Sequence, residues 1–178
     1  EKLLNKFPDE TPDSVVEILK NKSDVLPVVI KPVENSAAKN RRLILWNHRW
    51  EYDKAPQVFA DALVRLNKIN PNFELALLCG RAKVKSDVLL EIERKFSDKI
   101  VINEKVSRQE YRKYLSRSAI IVSTAIHELQ GLSVLEAISA GAVPLVPDGL
   151  CYREQYAENY RYKAGDSKVL AEKLSNCL

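Results

Sequence analysis

From Lys39 onward, short apolar runs alternate with stretches in which apolar residues return every three or four positions. Runs of three to five such residues read as strands, and the three-to-four period reads as one face of a helix. The first strand spans Leu43–Trp46, and the helix after it opens near Pro56, a residue tolerated in a first turn, with Phe59, Leu63 and Leu66 on one face. A second strand, Leu75–Cys79, is ended by Gly80. The next helix, from Ser86 to Phe96, aligns Leu89, Ile92 and Phe96. A third strand, Ile100–Ile102, leads to a short helix where Ser107 and Glu110 have the spacing of a capping box. The fourth strand, Ala119–Val122, is followed by a polar loop and a helix from Leu132 to Ala140 that Gly141 ends. Then come a strand at Val143–Val146, a helical piece after Tyr152, a sixth strand at Tyr160–Tyr162 and a last helix from Asp166.

Strands alternating with helices predict a parallel sheet covered on both faces, a Rossmann-like α/β fold wound in the order 3-2-1-4-5-6. Residues 1–39 break this rhythm. Leu3, Leu4 and Phe7, a turn over Pro8–Pro12, a short helix through Val15–Leu19, and an apolar stretch interrupted by Pro27 and Pro32 read as linker and the end of a preceding domain. The chain opens on Glu1, already in what reads as mid-helix, and contains no Met, so a piece of a longer protein is expected.

Composition narrows the class. With 178 residues, 46% hydrophobic, the chain can close one core with an appendage but not two full domains. A net charge of +4, from 28 Lys and Arg against 24 Asp and Glu, does not by itself argue for nucleic acid. Cys79, Cys151 and Cys177 lie far apart without metal-ligand spacing, which predicts reduced thiols and no metal site. No apolar run approaches the ~18–20 residues that cross a bilayer and no charged leader precedes one, so a cytoplasmic protein is expected.

In a sheet of this order the loops after strands 1 and 4 diverge, and ligands bind between them. Both loops carry reactive groups. The first is Asn47-His48-Arg49-Trp50-Glu51-Tyr52-Asp53-Lys54, the second Ser123-Thr124-Ala125-Ile126-His127-Glu128-Leu129-Gln130-Gly131, and between them they hold both histidines of the chain. Arg49 and Lys54 fit either a diphosphate grip or two solvated loop cations. Gly131 precedes a helix N-terminus suited to a phosphate, or marks a turn. Glu128 and Glu136, one before that helix and one inside it, can accept hydrogen bonds from vicinal hydroxyls; a helix cap and a surface residue are the plainer alternatives. Glu136 lies within Leu135-Glu136-Ala137-Ile138, where a carboxylate needs a partner. His48 and His127 are structural side chains or ligands. Arg108, Arg112, Lys113 and Arg117 form either a surface that meets the phosphates of a nucleic acid or a solvated helix face.

The run from Glu128 to Glu136, continuing through Ala137-Ile138-Ser139-Ala140-Gly141-Ala142-Val143-Pro144, resembles the carboxy-terminal signature of retaining GT-B glycosyltransferases of the group 1, or family 4, type. Arg49 and Lys54 match that family's diphosphate pair, and Val106-Ser107-x-x-Glu110-Tyr111 resembles its approach to strand 4. The resemblance covers about residues 40 to 175 and implies that residues 40–178 form a donor nucleotide-sugar-binding domain. Leu45-Trp46-Asn47-His48-Arg49-Trp50-Glu51 and Ser123-Thr124-Ala125-Ile126-His127-Glu128 look like the subgroup that mannosylates queuosine in tRNA, and its bacterial relatives. The resemblance therefore implies a GDP-mannose donor, a tRNA acceptor, an acceptor domain elsewhere in the same chain, and no metal or other cofactor. It also assigns roles: Arg49 and Lys54 to the diphosphate, Glu128 to sugar hydroxyls, Glu136 to the ribose diol, and Gly131, Leu132 and Ser133 to the phosphate, with His127 and His48 nearby. Where the family has Gly-aromatic-Gly, this chain has Leu129-Gln130-Gly131.

Two other functions fit the same pattern. One is a retaining glycosyltransferase acting on a lipid or polysaccharide, and the other is a non-catalytic nucleotide- or tRNA-binding module. A dehydrogenase domain is excluded by the bulky, charged loop where Gly-x-Gly-x-x-Gly would stand.

Overall fold

The computed structural model describes residues 14–34, 37–78 and 86–178. Cys79, Gly80, Leu3, Leu4, Phe7 and the turn over residues 8–12 lie outside them. Six strands form one sheet: β1 (Asn40–Trp46), β2 (Glu74–Leu77), β3 (Ile100–Asn103), β4 (Ser118–Val122), β5 (Val143–Pro147) and β6 (Arg161–Tyr162). Every pairing is parallel and the order is β3-β2-β1-β4-β5-β6, as the alternation predicts. The helices are α1 (Val15–Lys22), α2 (Pro56–Ile69), α3 (Asp87–Lys95), α4 (Arg108–Arg117), α5 (Leu132–Ser139), α6 (Tyr152–Gln155) and α7 (Ser167–Cys177).

Alternation within β1 divides the core in two. Ile44 and Trp46 point to one face, where Phe59, Leu63 and Leu66 of α2, Leu89 and Ile92 of α3 and Leu170 and Leu174 of α7 pack. Leu43 and Leu45 point to the other, against Leu115, Val134, Ala137 and Tyr152 from α4, α5 and α6. Burial on both faces is why these strands read as unbroken apolar runs. Strand β1 begins at Asn40, three residues before its apolar run. Its polar start is held instead by Asn40 Nδ2 donating to Glu74 Oε2 at 2.8 Å and by the Arg42–Glu74 ion pair at 2.7 Å.

Local signals behave as their chemistry requires. Ser107 and Glu110 close a reciprocal capping box at the start of α4. Gly141, at φ 88°, ends α5 with a Schellman pair, Gly141 N–H to Ile138 O and Ala142 N–H to Ala137 O. Segment 23–34, expected to be linker, lies extended along the domain. Val33 is buried in the second core, its N–H bonded to Ser139 Oγ at 3.0 Å, and Ser116 Oγ donates to Glu34 O at 2.8 Å. Among the described residues no helix is long and apolar enough to cross a membrane.

Candidate functional site

Strands β1 and β4 lie side by side at the point where strand order reverses, and the two charged loops leave their carboxyl ends together. The loops are stapled to each other. Ile126 N–H donates to Asp53 O at 2.8 Å, and Thr124 Oγ1 donates to Lys54 O at 2.6 Å. A 3-10 turn at Tyr52–Lys54, invisible to hydrophobic periodicity, turns the first loop back, and Ala55 follows it at φ 43°. Thr124 also reaches Ala55 O, at 3.1 Å, so the left-handed residue is held from the opposite loop.

Lys54 stands at the centre of this junction. Its Nζ lies 2.9 Å from His127 O, 3.2 Å from Glu128 Oε2 and 3.1 Å from Asp53 Oδ2, so its three N–H donors each have an acceptor. Both side chains of the Lys54–Glu128 pair are mostly buried, at 11% and 18% exposure. Burial works to raise the Asp53 carboxyl, but the hydrogen bond and charge of Lys54, helped by Arg49, hold it below its ordinary value. Arg49 itself is not drawn in. Its side chain is 68% exposed, and its guanidinium pairs with Glu51 at 3.2 Å.

Lys54, His127, Glu128, Gly131 and Leu132 line one open cavity of about 650 Å³, together with Val28, Asp53, Leu129, Gln130 and Leu150. His48 is not on its wall. It is buried beneath, edge-on to Trp46 with ring centroids 5.2 Å apart, while Trp50 folds back to stack on Trp46 and joins the core. Desolvation, then the Lys54 charge, push the His48 imidazole down to about 4 against the opposing pull of Glu128, the Val122 carbonyl and Asp53. His48 is therefore a neutral packing residue at neutral pH.

Glu136 has the partner that its apolar surroundings demand. Tyr111, from α4, donates its hydroxyl hydrogen to Glu136 Oε2 at 2.8 Å and accepts one from Asn47 Nδ2 at 3.1 Å. The same Asn47 nitrogen lies 3.1 Å from the carbonyl oxygen of Ser133, tying the first loop to the first turn of α5. Burial first, then Glu136, raise the Tyr111 hydroxyl above its usual range, so it remains a donor. Sequence reasoning missed Tyr111, Asn47 and Thr124 as site residues. For Tyr111 the usable signal is its place in the first turn of a capped helix entering the fourth strand, but the partner is 25 positions away.

Gly131 caps α5 at φ 70°, and a Cβ there would sit 2.9 Å from Tyr152 Cε1. Two tyrosines pin the loop behind it. Tyr152 Oη is 2.9 Å from Ser123 Oγ, and Tyr162 Oη donates to Ser123 O at 2.8 Å. Gln130, in place of the aromatic residue, pairs with the extended segment: its side chain receives Val28 N–H at 2.8 Å and donates to Val28 O at 2.6 Å. No group of three or more His, Cys, Asp or Glu side chains able to hold a metal occurs among the described residues.

A parallel sheet of this order with a charged crevice at its reversal point defines the Rossmann-like class of nucleotide-binding domain. Within that class, the chain belongs to the glycosyl transferases group 1 family, whose model matches residues 30–178, and it carries the carboxy-terminal domain of a GT-B glycosyltransferase. It is 32% identical to the tRNA-queuosine alpha-mannosyltransferase of Drosophila melanogaster, across 97% of this chain and 49% of that protein, so it spans about half the length of that relative. Solved structures share the fold at lower identity. TarM from S. aureus, crystallised with fondaparinux, alpha-GlcNAc-glycerol and UDP, superposes with a TM-score of 0.73 at 18% identity, over 94% of this chain and 35% of that one. The catalytic domain of the Helicobacter pylori cholesterol-alpha-glucosyltransferase gives 0.63 at 21% identity, over 78% and 86%.

Proposed function

We propose that this chain is the donor-binding half of a glycosyltransferase that moves mannose from GDP-mannose to queuosine in tRNA with retention of configuration. The observation that carries the reading is the junction at the switch point, where Lys54 and Glu128 from opposite loops meet beside the Gly131 amide end of α5. The relative named for tRNA-queuosine mannosylation supports the choice of mannose as the sugar and of queuosine in tRNA as the acceptor.

Breaking the bond between sugar and diphosphate builds negative charge on the departing phosphate, and fixed positive groups lower that barrier. Lys54 and Arg49 supply the cations, and the free amides of Gly131 and Leu132, with the Ser133 hydroxyl, extend the anion site. All three Lys54 donors are engaged, so a phosphate oxygen has to displace one acceptor. Displacing Glu128 releases its carboxylate to receive sugar hydroxyls. Glu136, steadied by Tyr111, takes the ribose diol, and His127 lines the sugar side. His48 acts from beneath, by packing. The remaining acceptor-side groups belong to the rest of the enzyme.

Thermal unfolding of the chain with GDP, UDP, ADP and their mannose or glucose conjugates tests this. Ligand at a hundred times its dissociation constant adds about 2.7 kcal/mol. Selective stabilisation by GDP and GDP-mannose, lost in Glu136→Ala, is expected. Stabilisation by UDP-sugars instead points to the other glycosyltransferase reading, and no shift with any nucleotide overturns the donor assignment.

A further inference from the structure

Away from the crevice, a second cavity of about 460 Å³ lies where segment 31–34 crosses the outer face of α4. Lys31, Arg108, Arg112 and Lys113 line it, with Glu34 as the one carboxylate. The whole chain carries a net charge of only +4, so four cations on one groove are a marked concentration. None of the four makes an ion pair or donates a side-chain hydrogen bond to a described residue, although paired alternatives exist elsewhere on the surface, as at Lys95–Glu91 and Arg153–Asp148. Glu110, the nearest carboxylate on the same helix, is held in the capping box at Ser107.

We infer that this groove is a docking surface for the phosphate backbone of RNA. An array of unpaired, solvated cations gains affinity from releasing the counterions of a polyanion. A membrane surface fits less well, because binding there draws on exposed apolar side chains beside the charges. Among the residues that line the groove no large apolar side chain is exposed, Val33 being buried; the exposed Val25, Leu26, Val28 and Val29 precede Lys31 in its segment and do not line the groove. Sequence alone favours a solvated face for Arg108, Arg112, Lys113 and Arg117, and Arg117 lies outside the groove. The structure adds Lys31 from a distant segment, which turns a helix face into a two-walled groove. Its position suits an acceptor: α4 also supplies Tyr111, which bonds Glu136, so RNA lying along the outer face of α4 runs beside the donor crevice. This inference rests on the proposal of a tRNA acceptor.

Binding of a labelled tRNA transcript to the chain, followed by fluorescence anisotropy between about 0.05 and 0.2 M salt, tests it. Four phosphate contacts predict a slope of log K on log salt of about −3. Arg112→Ala/Lys113→Ala should weaken binding about twentyfold at about 0.1 M salt and flatten the slope by about 1.4. Arg112→Lys/Lys113→Arg should restore both, and nucleotide stabilisation should be the same in all three proteins. If the alanine pair binds tRNA as tightly as the parent, the groove is not the dock, while the tRNA reading survives. No tRNA binding by the parent, or binding of anionic vesicles in preference to tRNA, overturns the surface. RNA binding through the groove with no response to guanine nucleotides leaves the surface standing and removes the donor.

Discussion

Replacing Lys54 by Met keeps the aliphatic stem and removes the charge that joins the two crevice loops. Three acceptors then lose their donor: His127 O at 2.9 Å, Glu128 Oε2 at 3.2 Å and Asp53 Oδ2 at 3.1 Å. The two carboxylates are also left without the cation between them, with only the more distant Arg49 charge acting on Asp53. A surface ion pair contributes about 0.2–1 kcal/mol, and breaking a buried one costs about 3–5 kcal/mol. At 11% and 18% exposure the pair lies between these limits, so Lys54→Met should cost about 2 kcal/mol. Glu128→Gln should cost less, about 0.5–1 kcal/mol, because Lys54 keeps Asp53 and the His127 carbonyl. Urea unfolding of the parent, both single variants and the double variant closes a thermodynamic cycle, with a coupling of about 1 kcal/mol expected. Costs that simply add, or a Lys54→Met protein within about 0.3 kcal/mol of the parent, would show that solvent already satisfies these groups and that the junction does not hold the loops together.

Gly131→Ala should destabilise the chain by about 1–3 kcal/mol, because the residue needs φ 70° and the new methyl meets the Tyr152 ring at 2.9 Å. A thermal midpoint within a degree of the parent would mean that the loop relaxes freely. His48, with its folded value pushed down to about 4 by burial and by Lys54, and with Glu128 and Asp53 also facing it, ties stability to pH. Between its unfolded value, near 6.5, and 4 the unfolded chain holds more protons, so stability should fall as pH drops through that window, by up to about 3 kcal/mol, and be fully present above it. His48→Gln should flatten that limb of the stability curve; an unchanged slope in denaturant melts across the window would assign it to other groups.

The sheet order was legible because the central strands β1, β2 and β4 are buried on both faces and so carry apolar runs of their own, while the edge strand β3, with Val101 exposed, still shows a short run over Ile100–Ile102. Where polar residues extend an element, as at Asn40, Arg41 and Arg42, that signal stops early, and the continuation depends on Glu74 in the neighbouring strand. Position at the switch point marked Lys54, Glu128 and Gly131, since topology alone delivers the ends of strands 1 and 4 to one crevice. What position could not mark is which residues pair across long separations. Asn47, Tyr111 and Glu136 form one network spread over three elements, and none of the three spacings repeats a local period.

The same distinction explains why two residues on one loop diverge. Arg49 and Lys54 share charge, loop and family motif, yet the 3-10 turn between them rotates Lys54 inward against three acceptors and leaves Arg49 paired with Glu51 in solvent. A buried cation with fixed acceptors is already oriented when a phosphate arrives, whereas a solvated guanidinium must give up freedom and water to join it. Under the proposed function, Lys54 stabilises charge developing at one fixed point, and Arg49, on a longer and freer side chain, follows the diphosphate as the crevice fills. The carboxylates divide in parallel: Glu128 is held by a partner that a phosphate can take from it, Glu136 by a tyrosine hydroxyl that a phosphate does not displace.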